Sequence, residues 1–214
     1  LWAFSLNARD TYEEMYWKYG YDRYFDSFEH YYSLYQRRNL DLWAEYADGK
    51  VTKEELNRQR YLYPLEAVGA GDSTLEKAYE RDALTMIPTK SKLMPHAREV
   101  LEYLSGKYNL YILSNGFKEL QSHKMRSSGI DEYFKKVVLS DDIGILKPWP
   151  EIFHFALSTT QSELNNSLMI GDSWENDIVG AAGVGMHQVF YNLSGRTDLP
   201  FAPTYHCLLY TSPS

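Results

Sequence analysis

The chain is short of cysteine, with one in 214 residues. A scaffold stapled by disulfides is thereby excluded, and the lone Cys207 fits a reducing, cytoplasmic setting. No apolar run approaches the roughly 18 residues that a membrane helix needs, so no spanning segment is expected. Basic residues are not in excess: 22 Lys and Arg stand against 29 Asp and Glu, a net charge of −7. A surface of that sign repels phosphate backbones and argues against nucleic-acid binding. There is no internal repeat and no low-complexity tract. What is present is 44% hydrophobic and 15% aromatic residues, enough to bury a core and too much for a disordered chain.

The chain changes character near residue 90. Before it, helical patterns run over 11–19 and 22–38, with 40–46 continuing or following the second. Asp48-Gly49-Lys50 breaks the run. Thr52 precedes Glu55 by three residues, a capping box that opens a helix to about Tyr63, where Pro64 is expected to interrupt it. A last helix covers 73–86. After Pro95 short apolar runs alternate with amphipathic ones: strands are expected at 110–113, 137–139, 168–170, 187–191 and 204–207. Helices are expected at 99–107, 117–127, 150–159 and 173–182. Strand and helix in alternation with short connections predict a parallel sheet with crossover helices. The expected organisation is a helical bundle over 1–90 and an α/β domain over 91–214.

In such sheets ligands bind at the carboxyl ends of the strands, and three polar groups fall there. Ser114-Asn115-Gly116 follows an apolar strand and opens a helix, a place where backbone N–H groups and a hydroxyl cradle an anion, or simply a capped turn. Gly171-Asp172-Ser173, with Asp177 one turn on, supplies carboxylates for a hard cation such as Mg²⁺, or acids that favour a helix start. Lys147 precedes Pro148 and so sits in non-helical chain, where it either offsets phosphate charge or is merely solvated.

Taken together, order and spacing resemble the second, third and fourth motifs of the haloacid dehalogenase-like hydrolase superfamily. The fourth, Met169-Ile170-Gly171-Asp172-Ser173-Trp174-Glu175-Asn176-Asp177-Ile178, is the most specific part. The stretches 113–119 and 171–178, and Leu1-Trp2 directly before the helices, resemble the branch that dephosphorylates pyrimidine 5′-nucleotides. The resemblance implies a Rossmann-like core, a helical cap that closes over the site, and a Mg²⁺-dependent phosphatase working through an aspartyl-phosphate. Its substrate is expected to be a small phosphorylated metabolite, a nucleoside monophosphate first. Ser114 is implied to hydrogen-bond a phosphoryl oxygen, Asn115 and the Gly116 amide to orient substrate and attacking group, and Lys147 to offset charge. Asp172 is implied to bind Mg²⁺, and Asp177 to orient Lys147 or a metal-bound water.

One part of the pattern is missing. The superfamily's first motif, Asp-x-Asp-x-Thr, holds the nucleophile and the general acid, and no such spacing occurs in these residues. Both ends read as cut or non-native, with the first strand expected upstream of Leu1 and no closing helix legible over 208–214. The chain as written is expected to be inactive. A 2-haloacid dehalogenase, a sugar-phosphate phosphatase or phosphomutase, and a catalytically dead binding domain are the competing readings. The Asp172 carboxylate argues against the first, because relatives of that kind carry Ser-Ser-Asn there. The six histidines show no metal-ligand spacing, and Cys207 has no nucleophile context. The tyrosines crowded before residue 65 read as packing, with one or two available to stack on a nucleobase.

Overall fold

The computed structural model describes residues 1–208, which form two compact units: 1–108 with 119–133, and 109–118 with 134–208. Both the final stretch expected to lack a closing helix and the native or cut character of the C-terminal end concern residues that lie, apart from Leu208, outside the described ones. Among the described residues no helix is long and apolar enough to cross a membrane.

The first unit is helical. Its main helices are α1 (Phe4–Lys18), α2 (Phe28–Ala47), α3 (Lys53–Ala67), α4 (Ser73–Met86) and α5 (Ala97–Ser105), with 3₁₀ turns at Tyr21–Arg23 and Ile87–Thr89 in the connections before α2 and α5. The expected four helices before residue 90 are all present. α1 begins seven residues earlier than its apolar pattern suggests, because Asn7 makes long-range bonds no local rule reveals. Its side-chain amide donates to Lys92 O and its Oδ1 accepts from Lys92 N. Ala3 N also donates to Lys92 O, and Met94 N to Leu1 O, so the chain enters and leaves the helices as a short antiparallel pair. The Thr52–Glu55 capping box forms as expected and starts α3. Pro64 does not end that helix. It sits in the last turn, buried, where its missing N–H forfeits a single bond before the helix closes at Ala67.

The core of this unit is built from tyrosine. Tyr12, Tyr16, Tyr21, Tyr31, Tyr32, Tyr35, Tyr61 and Tyr79 are buried together with Met15, Phe25 and Leu65. Burying a ring is favourable, but its hydroxyl must find a partner. Tyr12 and Tyr35 bond each other at 2.7 Å, Tyr31 donates to Tyr79 at 2.7 Å, and Tyr16 donates to the Phe25 carbonyl. The packing reading of these residues therefore holds, and Tyr24 is one that stays exposed.

The second unit is α/β, as the alternation predicts. Strand β1 (Leu110–Ser114) pairs in parallel with β2 (Phe134–Leu139). Strands β3 (Leu168–Gly171), β4 (His187–Asn192) and β5 (Tyr205–Leu208) form a second parallel sheet in that order. Helix α6 (Lys118–Ser127) starts after β1 and from Glu119 on belongs to the first unit, while α7 (Pro150–Thr160), with its proline at the first turn, precedes β3. The chain after β3 makes one wide π-helical turn, Trp174–Val179, before α8 (Gly180–Gly183). α7 and α8 pack closely: a Cβ on Gly180 would lie 2.6 Å from the Phe153 ring. Phe153, Ile152, Ala181 and Met186 are buried there, with Leu113 and Met169 against them. Where one continuous sheet is expected, β1 and β3 each have a strand neighbour on one side only among the described residues.

Candidate active site

β1 ends at Ser114 and β3 at Gly171, so both strands deliver their carboxyl ends to the loops that carry the polar motifs. Lys147 joins them. The residue is 8% exposed, and its Nζ donates to Leu113 O at 2.9 Å and to Asp177 Oδ1 at 2.6 Å. An ammonium has three donors, so one N–H of Lys147 is left without a partner among the described residues. A buried cation held by a strand-end carbonyl and a carboxylate is fixed in place and keeps one donor for a further acceptor.

Asp177 is as buried as the lysine it holds, at 5% exposure. Its second oxygen accepts from Ser173 N at 3.1 Å. The wide turn aims it: Asp177 N and Ile178 N both donate to Ser173 O, a bifurcation typical of a π-turn, and Ser173 Oγ caps the turn by accepting from Asn176 N. Gly171 gives way to it. A Cβ there would lie 2.3 Å from Asp177 Oδ2.

Asn115 is engaged differently from what the resemblance implies. Its Oδ1 accepts from Lys147 N at 2.8 Å and its Nδ2 donates to Lys147 O at 3.0 Å. The side chain thus clamps the Lys147 main chain across 32 residues and leaves its best hydrogen-bonding atoms engaged. The Gly116 N–H is engaged too, donating to Ser114 Oγ at 3.0 Å. In this arrangement Asn115 positions the lysine, and Gly116 shapes the turn around Ser114. Asp141, which follows β2, accepts through its Oδ2 from Lys118 N at 3.0 Å and caps the start of α6.

Asp172, the first residue past β3, is exposed, and no hydrogen bond or ion pair holds it among the described residues. Mg²⁺ takes one or two carboxylates and several waters. Both Asp177 oxygens are already engaged, and among the described residues no three His, Cys, Asp or Glu side chains are grouped to hold a metal. The residues described supply one free carboxylate and do not form a magnesium site by themselves.

The comparisons with known proteins agree with the motifs. A family model described as a haloacid dehalogenase-like hydrolase matches residues 4–185. The HAD-hydrolase YfnB of Bacillus subtilis is 30% identical over 175 residues, 80% of this chain and 73% of that protein. The pyrimidine 5′-nucleotidase YjjG of Escherichia coli is 30% identical over 173 residues, 80% of this chain and 75% of that one. The crystal structure of Bacillus subtilis YfnB bound to magnesium shares the fold, with a TM-score of 0.84 and 24% identity over 96% of this chain and 88% of that one.

Proposed function

The chain belongs to the haloacid dehalogenase-like hydrolase family, and on that premise we propose that it carries the phosphoryl-binding groups of a pyrimidine 5′-nucleotidase. The observation that carries this reading is the buried, doubly anchored Lys147 with one free N–H at the carboxyl ends of β1 and β3. The naming of YjjG as a pyrimidine 5′-nucleotidase supports the substrate class.

Phosphoryl transfer asks mainly for positioning and charge stabilisation. Lys147 offers a fixed positive charge to a phosphoryl oxygen. Asp177 and Asn115 keep it from swinging away, one at the ammonium and the other at the main chain. Ser114, turned by its bond from Gly116 N, stands at the end of β1 as the second phosphoryl contact. Asp172 is the carboxylate we assign to Mg²⁺. The attacking aspartate belongs to an Asp-x-Asp-x-Thr segment that these residues do not include. We take residues 1–90 as a helical cap inserted into a Rossmann-like core over 91–214, which the pairing of 1–3 with 92–94 supports.

The test is phosphate release from UMP and dTMP by the protein with a strand carrying Asp-x-Asp-x-Thr placed before Leu1, with Mg²⁺ and with EDTA. Release that EDTA abolishes is expected, and none is expected from the 214-residue chain alone. In the strand-bearing protein, Lys147→Met is expected to lower kcat by about 10²–10³-fold, the range for losing one preorganised charge contact. Failure to release phosphate from either nucleotide, or equal release by the 214-residue chain, overturns the proposal.

A further inference from the structure

The loop after β4 is tied to the turn that carries Asp177, and the tie runs through one arginine. Asn192, the last residue of β4, is 3% exposed. Its Oδ1 accepts from Arg196 N at 2.9 Å, and its Nδ2 donates to Arg196 O at 2.8 Å and to His206 Nε2 at 2.9 Å. The main chain of Arg196 is therefore held at both its N–H and its carbonyl, as Asn115 holds that of Lys147. The side chain reaches back to residues 174 and 175. Arg196 Nη1 donates to Glu175 Oε1 at 2.6 Å, its Nε donates to Asp198 Oδ1 at 3.2 Å, and its guanidinium lies 5.6 Å from the Trp174 ring centre. Trp174 is itself buried, with the Phe190 ring 5.1 Å and the Phe201 ring 4.9 Å away.

Trp174 and Glu175 are the first two residues of the wide turn, and Asp177 is its fourth. An isolated surface ion pair contributes little, because two long side chains must be ordered and salt screens their attraction. Arg196 escapes much of the ordering cost. Its backbone is already fixed by a buried amide, its guanidinium is shared between two carboxylates, and a buried indole supports it. The effect reaches Glu175, whose carboxyl the guanidinium holds below its usual range.

We propose that Arg196 is a positioning residue: by anchoring Trp174 and Glu175 it holds the 174–179 turn in the form that keeps Asp177 on Lys147. This rests on the nucleotidase reading only for what Lys147 then does to a substrate; the anchoring itself rests on the bonds above.

Amide hydrogen exchange on the 214-residue chain tests it, at low salt and at about 1 M salt, where screening acts within about 3 Å. The reporters are the Asp177 and Ile178 amides, both bonded to Ser173 O. Arg196→Met and Glu175→Gln are each expected to speed their exchange about fivefold at low salt, the scale of one well-ordered ion pair. The double variant should be no faster than the single ones, because the same contact is lost in all three. High salt should speed the two amides in the parent and leave them unchanged in Arg196→Met. The Glu175 side chain is exposed, so its glutamine variant keeps the test available if Arg196→Met fails to fold. In the strand-bearing protein Arg196→Met is expected to lower kcat about fivefold and to leave KM within about twofold. Exchange unchanged in both single variants, faster exchange spread equally over β3 and β4, or additive effects in the double variant overturns the proposal. So does an unchanged kcat in a strand-bearing protein that releases phosphate. No phosphate release by the strand-bearing parent overturns the nucleotidase reading, and exchange alone then decides the role of Arg196.

Discussion

Residue by residue, the site is a set of mutual anchors, and Gly171 shows how little room they leave. A side chain there would occupy the place of the Asp177 carboxylate, with its Cβ 2.4 Å from Asp177 Cβ. Gly171→Ala is expected to push Asp177 off Lys147 and to destabilise the protein by about 1–3 kcal/mol, the usual cost of overpacking. Gly183→Ala, with nothing within 4 Å of the added methyl, should be neutral or slightly stabilising. Urea midpoints of the two variants check this, and equal midpoints would contradict it. Asn115→Ala removes both bonds to the Lys147 main chain and is expected to cost about 1–2 kcal/mol. In the strand-bearing protein it should lower kcat more than it raises KM, because the residue holds the lysine and not the substrate. Ser114, Lys147, Asp172 and Asp177 are legible in the sequence because motif spacing names them. The engagement of Asn115 is not, because it depends on a loop 32 residues away.

Helices and strands are where local rules succeed and fail most visibly. The capping box marks the start of α3, a signal contained in four consecutive residues. The start of α1 is set instead by Asn7 bonding residue 92, which no window of neighbouring residues contains. The wide turn over 174–179 is likewise not a propensity effect; it follows from Asp177 reaching back to Lys147 and Ser173 N. α4 carries a different consequence. Glu76 is fully buried, and burial first, then the neighbouring Glu80, push its carboxyl from 4.5 up to about 7. The folded protein therefore holds a proton there that the unfolded chain releases. Stability from this group is fully present below about pH 4.5, falls as pH rises, and is gone above about pH 7. Glu76→Gln stays neutral and should flatten that slope, leaving the variant about 1–2 kcal/mol more stable than the parent at pH 8. Thermal melts from pH 5 to 8 measure it, and parallel profiles for the two proteins would remove Glu76 as the cause.

At the scale of the whole molecule, the α/β alternation read from the sequence is present, but its sheet is in two pieces. β1 and β3 are each unpaired on one side among the described residues, yet their carboxyl ends are tied to one lysine, through Leu113 O and through Asp177. Each of these edges is open to one more parallel strand. β3 also leaves Ile170 54% exposed, a poor use of a β-branched side chain in a sheet. This break was not legible from strand periodicity, which finds strands but not their neighbours. A strand carrying Asp-x-Asp-x-Thr before Leu1 is therefore expected to join both edges and to add about 1 kcal/mol for each ladder bond gained. Amide exchange gives the reading: protection should rise over Leu110–Ser114 and Leu168–Gly171 together, and stay as it was in α1 to α4. Protection rising on β1 alone, or on neither strand, would show that the added segment does not join both edges. The carboxyl ends around Lys147 would then have to bind their anion without it.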